Sequence, residues 1–149
     1  MGNPTIVDYV RSAADRAEIV ASVCTGALIL GAAGLLDGRP ATTHWGYHRV
    51  LEALGARYVP QRWVEDGRFI TAAGVSAGID MALRLVARLI DEQTARLLQL
   101  GIEYDPQRPY GGIAWHRVDR DMYAPLVVQL LRTVLPDRPD LIEAVTRTP

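Results

Sequence analysis

The chain predicts an α/β layer fold with a largely parallel sheet. Three observations carry that expectation. Short runs of small and β-branched residues alternate with longer segments of helical apolar spacing. The run Glu18 to Val23 passes through a tight turn of small residues into the helix-like Gly26-Ala27-Leu28-Ile29-Leu30. Trp63 to Ile70 sets Asp66-Gly67 between two β-prone runs, a hairpin signature. With 149 residues, 49% of them hydrophobic and 22% charged, the chain suits one domain with a sizeable core.

Asn3-Pro4 opens the first helix, because asparagine caps and proline fits the first helical position. Ile6, Tyr9, Val10, Ala13 and Ala17 are expected on its buried face. A strand at 19–23 and a helix at 26–36 follow, with Asp37-Gly38 as the stop. Ala41 to Thr43 reads as a short strand, and Thr43 as the cap of a helix from Trp45 to Leu54 that Gly55 ends. Arg57 to Pro60 reads as another strand. The second hairpin strand runs through Thr71-Ala72-Ala73 to a glycine-bearing turn at 74–78. A long helix then presents Ile79, Leu83, Val86 and Ile90 to the core, and a further helix at 92–100 carries Ala95, Leu98 and Leu100. Tyr104 to Trp115 is a loop rich in proline and glycine. Met122 to Val134 is helical, with Pro125 either in its first turn or kinking it, and a short helix covers 139–145.

A net charge of −1 gives no electrostatic footprint for nucleic acid. No stretch reaches the length of a membrane span, and the N-terminus lacks a charged-then-apolar signal pattern. One cysteine excludes an intrachain disulfide and fits reducing, cytoplasmic surroundings.

That cysteine, Cys24, sits within Ser22-Val23-Cys24-Thr25-Gly26, which has the shape of a strand-to-helix nucleophile turn. In the esterase form, G-x-S-x-G, small flanking residues let strand and helix close up. Here Cys24 replaces the serine and Ser22 the first glycine. Such a turn brings the sulfur to a helix N-terminus, where free N–H groups and the dipole favour a thiolate. The alternative for a lone cysteine is a small buried hydrophobe, but the flanking pattern favours a reactive thiol. His44 and His48 have a zinc-compatible spacing, yet neither the adjacent glutamate nor a third ligand accompanies them, so no metal is expected. His44 reads equally as a pocket residue or a helix-start residue held by backbone contacts. Trp45 and Tyr47 read as packing residues, with Trp45 able to wall an apolar pocket. Asp80 reads as a carboxylate at a helix start.

The run from Ser22 to Trp45, SVCTGALILGAAGLLDGRPATTHW, resembles the ThiJ/PfpI superfamily, as does Thr71 to Asp80, TAAGVSAGID. Glu103-Tyr104-Asp105-Pro106 is similar to the isocyanide hydratase branch. The resemblance covers residues 3–106, taken as a ThiJ/PfpI-like domain over 1–106, followed by a loop and helical tail over 107–149. It implies a flavodoxin-like three-layer sandwich, assembled as a homodimer that acts on a small molecule without a cofactor. It also implies that Cys24 is the nucleophile and that the Thr25 N–H stabilises an anionic intermediate. By the same resemblance His44, Ser76 and Gly78 border the pocket, with Trp45 the candidate for its apolar wall.

Family members carry roughly another third of a domain ahead of the opening helix, in keeping with usual domain sizes. That part holds the first strands and an acidic residue that contacts the cysteine. No residue here inherits the acidic role, and Asp8 and Asp15 lie on the opening helix. The chain therefore resembles a truncated member, expected to turn over little substrate alone. The activity implied is hydration of an isocyanide to an N-substituted formamide. The alternative is a ligand-sensing or dimerising domain like those of AraC-type regulators, and a third reading is an amidase or glyoxalase-like activity. The stretch after Tyr104 is too short for a DNA-binding region, so no direct nucleic-acid contact is expected.

Overall fold

The computed structural model describes residues 1–147. Asn3 caps α1 (Pro4–Arg16), its side-chain oxygen accepting from the N–H groups of Thr5 at 3.0 Å and Ile6 at 3.4 Å. β1 (Val20–Val23) passes through Cys24 and Thr25 into α2 (Gly26–Ala32). α2 ends earlier than its apolar run suggests. Gly34 takes a φ of 74°, its N–H bonds the Gly31 carbonyl at 2.8 Å, and the Leu35 N–H bonds the Leu30 carbonyl at 3.0 Å. This paired closure makes Gly34 the helix stop in place of Gly38.

β2 (Pro40–Ala41) and β3 (Arg57–Tyr58) form a separate parallel pair. Between them the single helix expected from Trp45 to Leu54 is split into a 3₁₀ turn at Trp45–Tyr47 and α3 (His48–Ala53). Thr43 does not cap it; His44 does, its Nδ1 accepting the Gly46 N–H. β4 (Trp63–Asp66) and β5 (Phe69–Ala72) form the expected antiparallel hairpin, with Gly67 at a φ of 61°. β5 also pairs in parallel with β1, from Val20 against Phe69 to Val23 against Ala72. The larger sheet is thus mixed, in the order β1-β5-β4.

α4 (Val75–Leu89) leads to α5 (Glu92–Gly101), where the Asp91 carboxylate caps the Thr94 N–H at 2.6 Å. After the long loop come α6 (Ala124–Val134), with Pro125 in its first turn, and α7 (Pro139–Thr146). All of β5 is buried, because it serves two cores. On one side Val20 and Phe69 join Leu28, Val50 and Leu51 with Val127, Leu131 and Leu141 of α6 and α7. On the other, Ile70 and Ala72 meet Ala77 and Met81 of α4. Helices on both faces give the flavodoxin-like three-layer arrangement.

Two helices are rotated from their expected faces. α1 buries Val7 and Ala14, with Val10 and Ala17 packed alongside, while Ile6 and Tyr9 are exposed. α4 rests on Ala77 and Met81, leaving Ile79 37% and Ile90 66% exposed. α4 approaches β1 closely at Gly78, where a Cβ would fall 2.7 Å from Cγ1 of Val23, and this turns Ala77 and the unbranched Met81 toward the sheet. No helix among the described residues is long and apolar enough to cross a membrane.

Candidate active site

The chain turns from β1 into α2 at Cys24, which takes a φ of 58°. That left-handed conformation costs a residue with a side chain roughly 1–2 kcal/mol. Bonds from two other segments hold it. The Cys24 N–H donates to the Ala72 carbonyl at 2.9 Å, carrying the β1–β5 ladder one step past the strand. The buried Thr43 hydroxyl donates to the Cys24 carbonyl at 2.9 Å. Gly26 lies beside Ser22 where the helix leaves the strand, and a Cβ there would make only an ordinary contact, 3.5 Å from that of Ser22. A strained, over-determined backbone at a half-buried thiol is the geometry of a nucleophile elbow. Thr25 follows as the exposed N-cap residue of α2. Ser22 is buried, and among the described residues its hydroxyl finds no hydrogen-bond partner, an uncommon state for a desolvated oxygen.

The pocket residues expected from the sequence fall into separate groups. His44 and Trp45 belong to an aromatic cluster. The His44 ring stacks on Trp45 at 5.7 Å and meets Tyr47 and Tyr123 at 5.8 Å each. Trp45 lies edge-on to Tyr123 at 4.8 Å and to Trp115 at 6.3 Å. His44 Nδ1 accepts from the Gly46 N–H at 3.3 Å, which assigns the ring proton to Nε2. Burial holds this imidazole below its ordinary value, so it is neutral at neutral pH. The Tyr47 phenol is pushed up, first by burial and then by the charges Cys24 and Tyr123 would carry, which makes it an electrostatic neighbour of the thiol.

Gly78 backs onto Val23, the residue before Cys24. Ser76 faces elsewhere: it is exposed, its hydroxyl accepting from Arg62 and its carbonyl from the Tyr104 hydroxyl, both at 3.4 Å. Asp80 anchors that cluster, taking the Arg62 guanidinium and, at 2.7 Å, the Tyr104 hydroxyl. Gly74, not Asp80, occupies the N-cap of α4. Asp80 instead ties the 103–106 segment to α4.

His48 does not share a centre with His44. Its Nδ1 lies 3.0 Å from the Trp45 carbonyl and its Nε2 lies 3.7 Å from Asp121. Among the described residues no three His, Cys, Asp or Glu side chains converge as a metal site would require. In the sequence, nothing placed Tyr47, Thr43 or Tyr123 near the thiol. Tyr47 read as packing and Thr43 as a helix cap. Tyr123 comes from the helical tail, where no local signal links it to His44.

The DJ-1/PfpI family model matches residues 1–88, a span that contains the Cys24 turn, His44 and Gly78. The chain belongs to the DJ-1/PfpI family. Isonitrile hydratase of Pseudomonas putida is 51% identical over 110 residues, covering 74% of this chain and 48% of that enzyme. The HTH-type transcriptional regulator CdhR of Pseudomonas aeruginosa is 37% identical over 97 residues, 62% of this chain and 28% of the regulator. The crystal structure of a ThiJ/PfpI family protein from Pseudomonas syringae superimposes with a TM-score of 0.75 at 34% identity, over 97% of this chain and 58% of that one. The chain thus spans about half the length of the hydratase and less of the regulator. Coverage of 97% also carries the DJ-1/PfpI likeness into the helical tail, where the sequence shows no family motif.

Proposed function

We propose that this chain carries the nucleophile of an isocyanide hydratase, with Cys24 in that role. One observation carries the reading: the single cysteine occupies a left-handed elbow in a chain 51% identical to isonitrile hydratase over 110 residues. The Cys24 thiolate attacks the terminal carbon of R–N≡C, forming a C–S bond, and a proton delivered to that carbon gives the thioimidate R–N=CH–S–Cys24. Water then adds to the same carbon, the C–S bond breaks with return of the electron pair to sulfur, and R–NH–CHO leaves. The Thr25 N–H supports the anionic stage. Both stages need proton transfer, typically worth on the order of 10²–10⁴-fold. The resemblance gives that task to a carboxylate ahead of the opening helix in family members; Tyr47 is the ionisable neighbour of the thiol supplied by this chain. A homodimer, which the family resemblance implies, would cover apolar side chains exposed on α4 and α5 such as Val75 and Leu97.

Covalent capture tests the chemistry without requiring full turnover. Mixed with n-butyl isocyanide, the chain should gain one isocyanide mass on Cys24, release N-butylformamide on hydrolysis, and lose both in Cys24→Ala. Formamide production surviving Cys24→Ala would overturn the mechanism. The likeness to the CdhR regulator supports a second reading, a domain that binds a ligand without transforming it. Reversible binding with no adduct at Cys24 is the result that reading requires.

A further inference from the structure

We infer that the groove between α2 and α6 is the binding site for an extended apolar substituent on the substrate nitrogen, so that long-chain alkyl isocyanides are the preferred class. This rests on the hydratase reading above. The groove has a volume of about 1020 Å³ and is lined by Thr25, Leu28 and Ile29 at the start of α2, by Leu130 and Val134 of α6 and by Tyr47, with residues 1–4 and 135–138 also in its lining. Thr25, the residue after Cys24, lines the groove, which therefore opens beside the turn that carries the thiol, although Cys24 itself is not among its lining residues. Its volume lies at the upper end of small-molecule sites, roughly 300–1,000 Å³, which selects a small ligand as the occupant.

α6 shows how the wall is built. Val127 and Leu131 are buried in the core, yet Leu126, Leu130 and Val134 form a second apolar stripe at four-residue spacing, 54%, 45% and 60% exposed. Leu130 and Val134 look into the groove and Leu126 lies outside it. One helical turn separates the first two, about 6 Å at 1.5 Å per residue, which suits several methylenes. After Val134 the lining continues through Leu135 and Pro136 to the charged Asp137 and Arg138, which limit the apolar arm. In this proposal the N-substituent of a carbon held at Cys24 passes Thr25 to reach this wall.

The test titrates N-alkylformamides, butyl through octyl, into the 149-residue chain by ligand-observed NMR. Affinity should rise roughly fourfold per methylene, the fold-change of burying one CH₂, until the polar end is reached. Leu130→Asp and Val134→Asp should each weaken N-octylformamide at least about tenfold, and Leu126→Asp, on the same stripe outside the groove, should leave it unchanged. Affinity that does not depend on chain length, or an equal loss in Leu126→Asp, would overturn the assignment. Capture of n-butyl isocyanide at Cys24 is read in the same proteins. Capture without length-dependent binding removes the groove and keeps the hydratase reading. Length-dependent binding without capture keeps the groove as an apolar amide site but removes the hydratase reading and, with it, the isocyanide preference.

Discussion

The Thr43 hydroxyl donates to the Cys24 carbonyl at 2.9 Å, so the segment leaving β2 fastens the backbone of the turn that carries the thiol. Thr43 is fully buried, which makes that bond hard to replace with water. Thr43→Val keeps the shape and removes the donor. It should cost about 1–3 kcal/mol, the desolvation penalty of an orphaned carbonyl, measured by urea denaturation. It should also change the rate at which iodoacetamide alkylates Cys24. A stability equal to wild type would show that the turn does not depend on this bond.

Left-handed backbone at Cys24 gives a prediction about replacements there. Alanine retains a Cβ at a φ of 58°, whereas glycine relieves the strain. Cys24→Gly should therefore be more stable than Cys24→Ala by about 1 kcal/mol, in spite of the entropy of glycine in the unfolded chain. Both should abolish alkylation. Equilibrium unfolding of the two variants side by side is the measurement, and a more stable alanine variant would contradict the elbow.

Gly78 lies in a helix, where alanine normally stabilises. Here the added Cβ would sit 2.7 Å from Val23 Cγ1, and overpacking of this kind costs about 1–3 kcal/mol. Gly78→Ala should destabilise the wild type but be neutral or favourable in a Val23→Ala background. A double-mutant cycle reads the coupling directly. Additive effects would mean that α4 does not press on β1 at this point.

His44 predicts a pH dependence. It is neutral in the fold because burial lowers its pKa from the ordinary 6.5. Below that value the unfolded chain binds the proton more readily, so acid favours unfolding. The stability contributed by neutral His44 is complete above 6.5 and is lost as pH falls toward the folded-state value. His44→Asn keeps a short acceptor for the Gly46 N–H and removes the titration. Its stability relative to wild type should rise on acidification from pH ~7 to ~5, followed by chemical denaturation. A constant difference across that range would place the titration elsewhere.

Local chemistry made much of this molecule legible. Asn3-Pro4 started α1, Asp66-Gly67 turned the hairpin, and the small residues around Cys24 specified a strand-to-helix elbow. Each is decided by residues a few positions apart, through capping, turn conformation or room for close packing. At the end of α2 the stop shifted from Gly38 to Gly34, because only the paired carbonyl bonds distinguish a helix stop from a later turn, and at Trp45 the cap passed from Thr43 to His44, because Thr43 gives its hydroxyl to the Cys24 carbonyl.

Sequence alone thus determined the family, the layer class and the strand-to-helix turn at Cys24. Tertiary structure decided which face each helix buries and which residues surround the thiol. α4 gave Ala77 and Met81 to the sheet in place of Ile79 and Ile90, because the approach of Gly78 to Val23 leaves space only for a slim face. Tyr123 and Trp115 reached His44 and Trp45 from the tail, and Leu130 and Val134 came to face Ile29. Such meetings depend on how distant segments dock, and burial at long range leaves no periodic mark that a linear reading can detect.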